Sequence, residues 1–510
     1  MPQNLFSYQY QESSKSAYTS VGGLPLFMEM AKISGLSEAI KCSLKLNSQG
    51  WSDQEIIESI MQLNISGGDC VEDIDRLEAD QGLNNLTESL AYKGMTSTEK
   101  EAAEKRFRTS TERAFPSASS IRRYLEKFHN EEEEEKRLPG TAFIPAQNGD
   151  LKSLTSTNQS LVTFLQNHHP CQEATLDQDA TLAQTHKESA LYCYEKYKAY
   201  QPFNTYWHEQ KILLHTEFRD GNVPAGFEQK RLLEESLKLL PQGVKKVFLR
   251  SDTAGYQENL LTYCAMGNNE RFGVIEFAIG VKVTQAFKES VKEIEEKDWH
   301  IIYKTDEEGN KYETNQEWAE VCFVPNWVAK HKKNPDYRFI AIRELFSPQP
   351  CLPGIEPTSQ DLPFQTMNLK SGEFKIFGVI TNRDLPGNEL IEWYRKRCGD
   401  SEKVHSIEKS DLCGGQFPSN KFGANAAWWH IMVLTFNLIV LMKSLVLPKE
   451  FMKKRMKGLR FHLINIAGCV IQHARQLIIK ISKNAKIMNL IQSVRRKLEA
   501  LATAPPLIST

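Results

Sequence analysis

Two short stretches decide how this chain folds: Ala174-Thr-Leu-Asp-Gln-Asp-Ala-Thr-Leu182 and Lys246-Val-Phe-Leu-Arg-Ser-Asp252. Both are rich in the apolar, aromatic and β-branched residues that favour strands. Each carries an aspartate toward its C-terminal end, Asp179 in the first and Asp252 in the second. If the two strands are neighbours in one sheet, we expect these carboxylates to lie close together.

The pattern around these stretches predicts their neighbours. Three strands come in sequence and are followed by alternating helices and strands, which is the order of an RNase H-like α/β layer fold. In that topology the first and fourth strands are adjacent. The predicted elements are strands at 174–182, 190–196 and 212–218, a helix at 226–240, a strand at 246–251, a helix at 256–264 and a strand at 272–278.

Changes of pattern divide the rest of the chain. The N-terminal part has helical patterns broken by turn signals, and an acidic run at 131–135 leads into a linker. A helix at 385–412 is expected to return to the core. The predicted regions are a helical domain at 1–135, a linker at 136–170, the first part of the core at 171–281, a β-rich insertion at 282–380, the second part of the core at 381–447 and a basic helical region at 448–510.

The composition is that of an ordinary folded protein, with 510 residues of which 40% are hydrophobic and 25% charged. Residues 1–12 lack the basic and apolar segments of a secretory signal. The ten cysteines contain no C-x2-C pair, which favours a reducing compartment, so we expect a cytoplasmic protein. An apolar run at 426–447 approaches membrane length but contains His430, Asn437 and Lys443, and we predict a buried helix with no membrane partner.

Charge is distributed unevenly, although the net charge of the whole chain is only −1. Residues 441–500 hold 14 Lys and Arg against 2 acidic residues, a net charge of +12. A segment of this charge attracts polyanions such as nucleic acid. Lys453, Lys454 and Arg455 lie in its densest part, and we expect them to bind DNA.

The segment Phe115-Pro-Ser-Ala-Ser-Ser-Ile-Arg-Arg-Tyr-Leu125 predicts a short amphipathic helix with Ser117 as its N-cap. Arg122 and Arg123 project from the first turns of this helix. The helix could lie on DNA or be a plain surface helix, and the residues leave both alternatives open.

A third acidic residue on the returning helix would complete a three-carboxylate cage with Asp179 and Asp252. Carboxylate oxygens are the ligands that hard divalent cations such as Mg²⁺ prefer. Two such ions activate a water or a 3′-hydroxyl and stabilise the leaving oxygen of a phosphodiester. The sequence contains neither a nucleophile elbow nor a phosphate-binding glycine-rich loop, which disfavours acyl transfer and nucleotide hydrolysis.

Several strings carry a family resemblance that runs over essentially the whole chain: Gly67-Gly-Asp-Cys-Val-Glu-Asp73, Pro116-Ser117, Leu176-Asp-Gln-Asp-Ala-Thr-Leu182, Phe218-Arg-Asp-Gly-Asn-Val-Pro224, Leu249-Arg-Ser-Asp-Thr-Ala-Gly-Tyr256 and Asn425-Ala-Ala-Trp428. Together they resemble bacterial insertion-sequence transposases of the DDE class, group one. The resemblance implies an RNase H-like core with an inserted β-domain. It also implies metal-dependent cleavage at transposon ends, followed by joining of the freed 3′-hydroxyl to target DNA.

The wider class is marked by the signature Y-x2-R-x3-E-x6-K, which Tyr394, Arg397, Glu402 and Lys409 match. Four residues instead of three separate Arg397 from Glu402. We expect Gly399, which lies in that interval, to absorb the extra residue as a helix break or bulge.

The resemblance also assigns roles. It implies that two metal ions, Mg²⁺ or alternatively Mn²⁺, are held by the catalytic residues Asp179, Asp252 and Glu402. It implies that three further residues hold DNA phosphates near the cut, an arginine through its planar fork and a lysine as a point charge. These are Tyr394, Arg397 and Lys409.

Two acidic residues compete with this assignment. Asp177 faces the same side of its strand as Asp179, and Asp179 is preferred because Asp-Ala-Thr matches the family pattern. On a regular helix Lys409 returns to the face of Glu402, whereas Glu408 is turned about 120° away. We therefore predict a solvent-exposed Glu408 and a shared face for Glu402, His405 and Lys409.

His405 invites a metal-binding interpretation, but a hydrogen-bonded helix histidine is the expected role. Trp299, Trp318 and Trp327 lie in the predicted insertion. Related enzymes that form hairpin ends stack a displaced base on an aromatic residue, whereas core packing is expected for each of these three.

The resemblance implies double-stranded DNA as the partner, both the terminal inverted repeats and the target, and a homodimer when two ends are paired. Two other classes remain open. One is a DNA-binding protein that derives from a transposase and no longer cuts, and the other is a related metal-dependent nuclease. The presence of all three acidic residues favours an active cut-and-paste transposase.

Overall fold

The computed structural model describes residues 17–91, 96–98, 101, 105, 113–305, 309–329, 337–346, 364–473 and 476–503. Residues 1–12, on which the expectation about a secretory signal rests, lie outside the described residues. Within these ranges the protein is a mixed α/β structure built around a large mixed sheet.

The strands are β1 (Ala17–Thr19), β2 (Glu173–Ala180), β3 (Ala183–Gln184), β4 (Ala199–Tyr200), β5 (Phe203–Trp207), β6 (Ile212–Glu217), β7 (Lys246–Ser251), β8 (Glu276–Gly280), β9 (His300–Thr305), β10 (Lys311–Glu320), β11 (Arg338–Leu345), β12 (Thr366–Leu369), β13 (Gly372–Thr381), β14 (Gly468–His473) and β15 (Gln476–Ile481).

The helices are α1 (Leu24–Ile33), α2 (Leu36–Ser43), α3 (Asp53–Ser66), α4 (Ile74–Glu78), α5 (Gln81–Ala91), α6 (Ala118–Glu126), α7 (Glu131–Glu134), α8 (Gly149–His168), α9 (Gln229–Leu239), α10 (Glu258–Ala265), α11 (Gln285–Lys292), α12 (Asn326–Ala329), α13 (Gly387–Arg395), α14 (Asp400–Ser406), α15 (Phe422–Leu441), α16 (Met456–Leu459) and α17 (Ala485–Thr503).

The large sheet has the strand order β6-β5-β2-β7-β8-β13-β11-β10-β9, and β12 pairs with β13. Strands β5 and β6 form antiparallel pairs next to β2, whereas β7 and β8 run parallel to it. The prediction that the strands carrying Asp179 and Asp252 are neighbours is therefore confirmed.

One of the five predicted core strands is wrong. Residues 190–196 form no core strand, and β5 (Phe203–Trp207) takes the place beside β2. Every residue of β5 is buried, whereas Tyr192 and Tyr194 are among the most exposed apolar side chains of the described chain. Local β-propensity was similar in the two stretches, and burial against the core separates them.

The predicted β-rich insertion extends the main sheet. Strand β13 pairs antiparallel with β8, and β11, β10 and β9 follow outward. Strands β9 to β13 all lie within the predicted bounds of the insertion or end one residue beyond them. The long-range pairing of β13 with β8, which joins the insertion to the core, was not predictable from local alternation.

The apolar run at 426–447 is a core helix, as predicted. Helix α15 and the π turn Met442–Val446 form the one helix of the described chain that is long and apolar enough to cross a membrane, and 83% of its most apolar stretch is buried in the protein. Two of its polar side chains form internal hydrogen bonds: Asn437 donates to Asn158 at 2.6 Å, and the Thr435 hydroxyl donates to the Ile431 carbonyl.

The C-terminal region is not only helical. Strands β14 and β15 form a hairpin that pairs with β1 from the other end of the chain. Helix α17 follows and buries Val494 and Leu498. The predicted basic helical region is therefore corrected to a hairpin and a helix, and the predicted N-terminal helical domain contributes one strand to the same sheet.

Candidate active site

Asp179 and Asp252 lie at the same edge of the large sheet. The parallel register of β2 and β7 ends with the pair Gln178 and Ser251, and each aspartate is the next residue along its chain. Burial raises the pKa of Asp252, and the neighbouring Asp179 carboxylate raises it further. The Asp179 carboxylate is thus close enough to oppose the ionisation of Asp252.

The backbone beyond β7 turns sharply to present Asp252. The carboxylate caps the short 3₁₀ turn Thr253–Gly255 by accepting a hydrogen bond from the Ala254 amide at 3.0 Å.

Helix α13 brings a tyrosine to the end of β7. The Tyr394 hydroxyl donates to the Ser251 carbonyl at 3.2 Å. A side chain at Gly280 of β8 would lie 3.1 Å from this hydroxyl, so the glycine leaves room for the tyrosine. Burial, ahead of the surrounding charges, raises the pKa of Tyr394 to about 12, which keeps it a neutral hydrogen-bond donor at physiological pH.

Arg397 reaches the two aspartates from the segment that follows α13. Its Nη2 atom lies 3.3 Å from Oδ2 of Asp179. Burial alone lowers the pKa of Arg397, but Tyr394, Asp179 and Asp252 outweigh it, and the net shift is upward. The guanidinium therefore remains charged and partly neutralises the two carboxylates.

The predicted helix at 385–412 is interrupted where the extra residue was expected. Helix α13 ends at Arg395 and α14 begins at Asp400, with Gly399 as its N-cap at a φ of 83°. Glycine adopts this backbone conformation without the steric cost that other residues meet. The prediction that Gly399 breaks the helix is confirmed.

His405 of α14 lies between two carboxylates. Its Nε2 atom is 3.6 Å from Oδ2 of Asp179, and its Nδ1 atom is 3.2 Å from Oε2 of Glu408. Burial lowers the pKa of His405, but its contacts with the Asp179 and Glu408 carboxylates and their charges outweigh burial and raise it to about 9. The expected hydrogen-bonded histidine is present, and it forms part of the aspartate site.

Glu408 is fully buried, so the prediction that it is exposed is wrong. The structure departs from a regular helix here, because Ile407–Asp411 is a π turn and its wider spacing changes the faces that residues occupy. Asn204 of β5 donates to Oε1 of Glu408 at 2.7 Å. With His405 on Oε2, both oxygens of this carboxylate are engaged.

A buried hydrogen-bond chain fixes Asn204, which sequence analysis missed. The Trp429 indole donates to the Thr216 hydroxyl at 2.9 Å, and this hydroxyl donates to Oδ1 of Asn204 at 2.7 Å. The amide nitrogen of Asn204 must then face Glu408. The only local signal was the position of Asn204 opposite Asp179 in the β2–β5 register, which required the correct second strand.

Glu402 is exposed on α14, three residues before His405 and therefore beside it on the helix surface. The structure gives its carboxylate no hydrogen bond or ion pair with another described residue. Lys409, predicted to share this face, donates to the Leu182 carbonyl at 3.0 Å. Burial lowers the pKa of Lys409.

Asp177, the competing candidate on β2, is occupied elsewhere. Arg250 donates to its two carboxylate oxygens at 2.6 and 2.8 Å, and the same guanidinium donates to the Trp393 carbonyl at 2.6 Å. This buried ion pair joins β2, β7 and α13. Asp177 therefore has a structural role, and Asp179 faces the site.

The basic segment packs beside α14. Arg455 donates to both carboxylate oxygens of Asp411 and to the Ser406 hydroxyl at 2.8 Å. Lys453 is exposed, and the Lys454 ammonium lies over the Phe451 ring at 5.6 Å. The segment is thus held next to the helix that carries His405.

Helix α6 forms as predicted from residues 115–125. Its N-cap is Ser117, whose hydroxyl accepts a hydrogen bond from the Ser120 amide. Arg122 forms an ion pair with Glu72. Arg123 is exposed and contacts the Ser120 hydroxyl at 3.4 Å.

The three predicted insertion tryptophans pack against apolar clusters, as expected. Trp299 is buried, and Trp318 and Trp327 are partly buried.

No three acidic, histidine or cysteine side chains within the described ranges converge closely enough to hold a metal ion as they stand. Asp179 and Asp252 nevertheless form a pair of hard oxygen donors that suits a divalent cation. Arg397 and His405 supply the positive charge that balances Asp179.

The fold and this sheet-edge site define a class of protein that carries paired aspartates at the ends of adjacent parallel strands, with cationic side chains around them. The chain belongs to the family described as transposase DDE domain, group 1, whose model matches residues 13–503. Members of the class generally use divalent metal ions.

The chain is also similar to a solved piggyBac transposase synaptic complex with hairpin DNA, determined by cryo-EM. The identity is 10%, the TM-score is 0.40, and the match covers 95% of this chain and 80% of that chain. No curated protein matches the sequence.

Proposed function

We propose that this chain is an active, metal-dependent DNA transposase that binds the ends of its own insertion sequence, cleaves them and joins the 3′ ends to target DNA by a cut-and-paste route. Family membership supports a DNA transposase. The observation that carries the finer proposal is the adjacency of Asp179 and Asp252, two intact acidic residues on neighbouring parallel strands.

The five strands β6-β5-β2-β7-β8 form the catalytic core in this proposal, and their order supports an RNase H-like fold. In chain order they read 3-2-1-4-5, with two antiparallel strands on one side of the first strand and two parallel strands on the other. The signature residues Tyr394 and Arg397 beside the aspartates support placing the chain in the Y-R-E-K branch of bacterial insertion-sequence enzymes.

Asp179, Asp252 and Glu402 are the residues that would hold two Mg²⁺ or Mn²⁺ ions. Bound there, the ions would activate the attacking hydroxyl and stabilise the leaving oxygen of the phosphodiester. Glu402 is the better third ligand because its carboxylate is exposed beside His405, whereas Glu408 is buried and both of its oxygens are engaged.

The cationic residues around the aspartates orient the DNA. Arg397 presents a planar fork that matches the geometry of a phosphate. Tyr394 offers a neutral hydroxyl beside Asp252, and Lys409 adds a point charge. On metal binding, the guanidinium of Arg397 would exchange its contact with Asp179 for a phosphate oxygen.

Lys453, Lys454 and Arg455 extend this surface, because Arg455 fixes their segment beside α14. Arg122 and Arg123 would add a second contact from the N-terminal domain, with Arg122 released from Glu72. A homodimer that pairs two ends in the bacterial cytoplasm completes the proposal.

The direct test is cleavage of a duplex that carries the terminal repeat, in Mg²⁺ and in EDTA. Asp179→Asn and Asp252→Asn should abolish cleavage and leave end binding largely intact, since each removes one metal-ligand charge. Asp298→Asn, at an exposed aspartate of the insertion, is the matched control and should cut normally.

Cleavage in EDTA, or by either aspartate variant at the wild-type rate, would contradict the proposal. Analysis of the DNA products distinguishes a transposase from a related metal-dependent nuclease, because a nuclease only cuts whereas a transposase also joins the ends to a target.

A further inference from the structure

The two ring nitrogens of His405 have different surroundings. The Nδ1 atom lies 3.2 Å from Oε2 of Glu408, a fully buried carboxylate. The Nε2 atom is buried and has no hydrogen-bond partner among the described residues, because Oδ2 of Asp179 is 3.6 Å away, beyond hydrogen-bond distance. One nitrogen is therefore held from behind, and the other faces the aspartate pair without a hydrogen bond.

The support behind His405 is rigid. Glu408 accepts a hydrogen bond from the Asn204 amide at 2.7 Å. Asn204 is fixed in turn by the Thr216 hydroxyl and, through it, by the Trp429 indole of the core helix α15. All four of these supporting side chains are buried. The ring is thus fixed in place by contacts that lead into the core of the protein.

This arrangement is typical of histidines that bind metal ions. Such a histidine donates its other ring N–H to a carboxylate, which fixes the orientation of the ring and makes the ligand nitrogen more basic. The sequence spacing agrees, because Glu402-Lys-Val-His405 places a glutamate and a histidine three residues apart on α14. In two-metal carboxylate sites of helical proteins, a Glu-x-x-His pair supplies two ligands from one helix.

We propose that His405 is a further metal ligand, which binds through Nε2 one of the ions held by Asp179. The proposal rests on the proposed transposase function and adds a nitrogen donor to the three carboxylates assigned there. Histidine binds metal ions as the neutral imidazole, so the ion takes the place of the proton on Nε2.

The distances in the site allow one ion to contact both residues. Carboxylate oxygens and imidazole nitrogens bind divalent ions at about 2.0–2.2 Å, so two ligand atoms of one ion lie at most about 4.4 Å apart. The 3.6 Å between Nε2 of His405 and Oδ2 of Asp179 is within this limit. A fixed and protonated His405 would instead repel any ion bound to that oxygen.

Arg397 contacts the same oxygen of Asp179, at 3.3 Å, but cannot share its role. A guanidinium has no acceptor atom with which to bind a cation. Of the two basic side chains beside Asp179, only His405 can therefore remain next to this oxygen as a ligand when an ion binds.

A nitrogen donor should change which ions the site prefers. Mg²⁺ takes oxygen ligands, whereas imidazole suits transition metals. Replacement of His405 should therefore weaken the binding of Mn²⁺ more than the binding of Mg²⁺. A site of three carboxylates alone would lose no such preference on this substitution.

The test uses the full chain, labelled with ¹⁵N-histidine and loaded with Mn²⁺ alone. Pulsed electron paramagnetic resonance should detect a histidine nitrogen bound directly to the ion, with a coupling that differs between the ¹⁴N and ¹⁵N proteins. His405→Gln should remove this signal. It should also weaken Mn²⁺ binding in calorimetry by at least about 10-fold, the lower bound for loss of a residue that supports a metal ligand.

Three controls locate the ion and the cause. Asp179→Asn should also weaken Mn²⁺ binding, which shows that the ion lies at this site. His473→Ala changes an exposed histidine of β14 and should leave both the signal and the affinity unchanged. The glutamine of His405→Gln can still donate to Glu408, and urea unfolding checks that this variant is folded.

Mn²⁺ binding that depends on Asp179 but shows no histidine nitrogen would overturn this ligand and leave the three-carboxylate site intact. A nitrogen signal that persists in His405→Gln would overturn it as well, because another histidine would then be the source. Wild-type protein that binds no Mn²⁺ would count against the whole metal site. If the nitrogen signal behaves as expected but the wild-type protein does not cleave DNA, the ligand assignment stands and the proposed transposase function fails.

Discussion

Substitutions at the two glutamates of the returning helix, Glu402 and Glu408, should affect different properties: the first should affect DNA cleavage and the second the free energy of unfolding. Glu402 is exposed and has no partner among the described residues, whereas Glu408 is buried between Asn204 and His405. Glu402→Gln should abolish Mg²⁺-dependent cleavage and change the free energy of unfolding by no more than about 0.5 kcal/mol, as is usual for surface substitutions.

Glu408→Leu should instead lower the free energy of unfolding. It removes the acceptor of the Asn204 amide at 2.7 Å and the partner of the His405 ring at 3.2 Å. Each buried donor left unsatisfied costs about 1–3 kcal/mol, so the expected loss is about 2–6 kcal/mol. Glu408→Gln keeps an acceptor of the same shape and should recover much of this loss.

Urea unfolding followed by tryptophan fluorescence measures the stabilities, and cleavage of an end-containing duplex measures the activity, with end binding checked in parallel. Normal cleavage by Glu402→Gln together with a stable but inactive Glu408→Gln would refute the assignment. Glu408 would then be the third metal ligand, and the roles of Arg397 and Lys409 would need to be assigned again.

Three other outcomes are expected. Asp177→Asn should destabilise the protein by about 3–5 kcal/mol in urea unfolding, because it breaks a buried ion pair and leaves a charged guanidinium inside; a loss below 1 kcal/mol would contradict that role. Replacing Lys453 and Lys454 together by alanine should make end binding less sensitive to salt, since each phosphate contact contributes a slope of about −0.9 to log K against log salt; an unchanged slope would exclude this segment from the interface. Burial lowers the pKa of His215 and of His430 to about 4, whereas in the unfolded chain these histidines take up protons near pH 6.5. The free energy of unfolding should therefore fall by about 2 kcal/mol per histidine between pH 7 and pH 5. An unchanged urea midpoint over that range would show that these rings are not held neutral.

Local features of the sequence determined several elements. Ser117 was identified as an N-cap because its hydroxyl satisfies an amide of the first turn, and Gly399 as a helix break because it tolerates a positive φ. The strands bearing Asp179 and Asp252 were evident from their composition. Each of these features depends on interactions between residues close together in the chain.

Tertiary structure alone decided the rest. The stretch at 190–196 resembles a strand in composition, but the core accepts Phe203–Trp207 beside β2 and leaves the earlier stretch as an exposed arm. Glu408 is buried because a π turn shifts its face and Asn204 from β5 meets it, a partner 204 residues away in sequence. The periodicity of apolar residues in the sequence indicates which face of a regular helix or strand is buried. Which strands pair across the sheet depends on burial and register, and these are fixed only when the whole core has assembled.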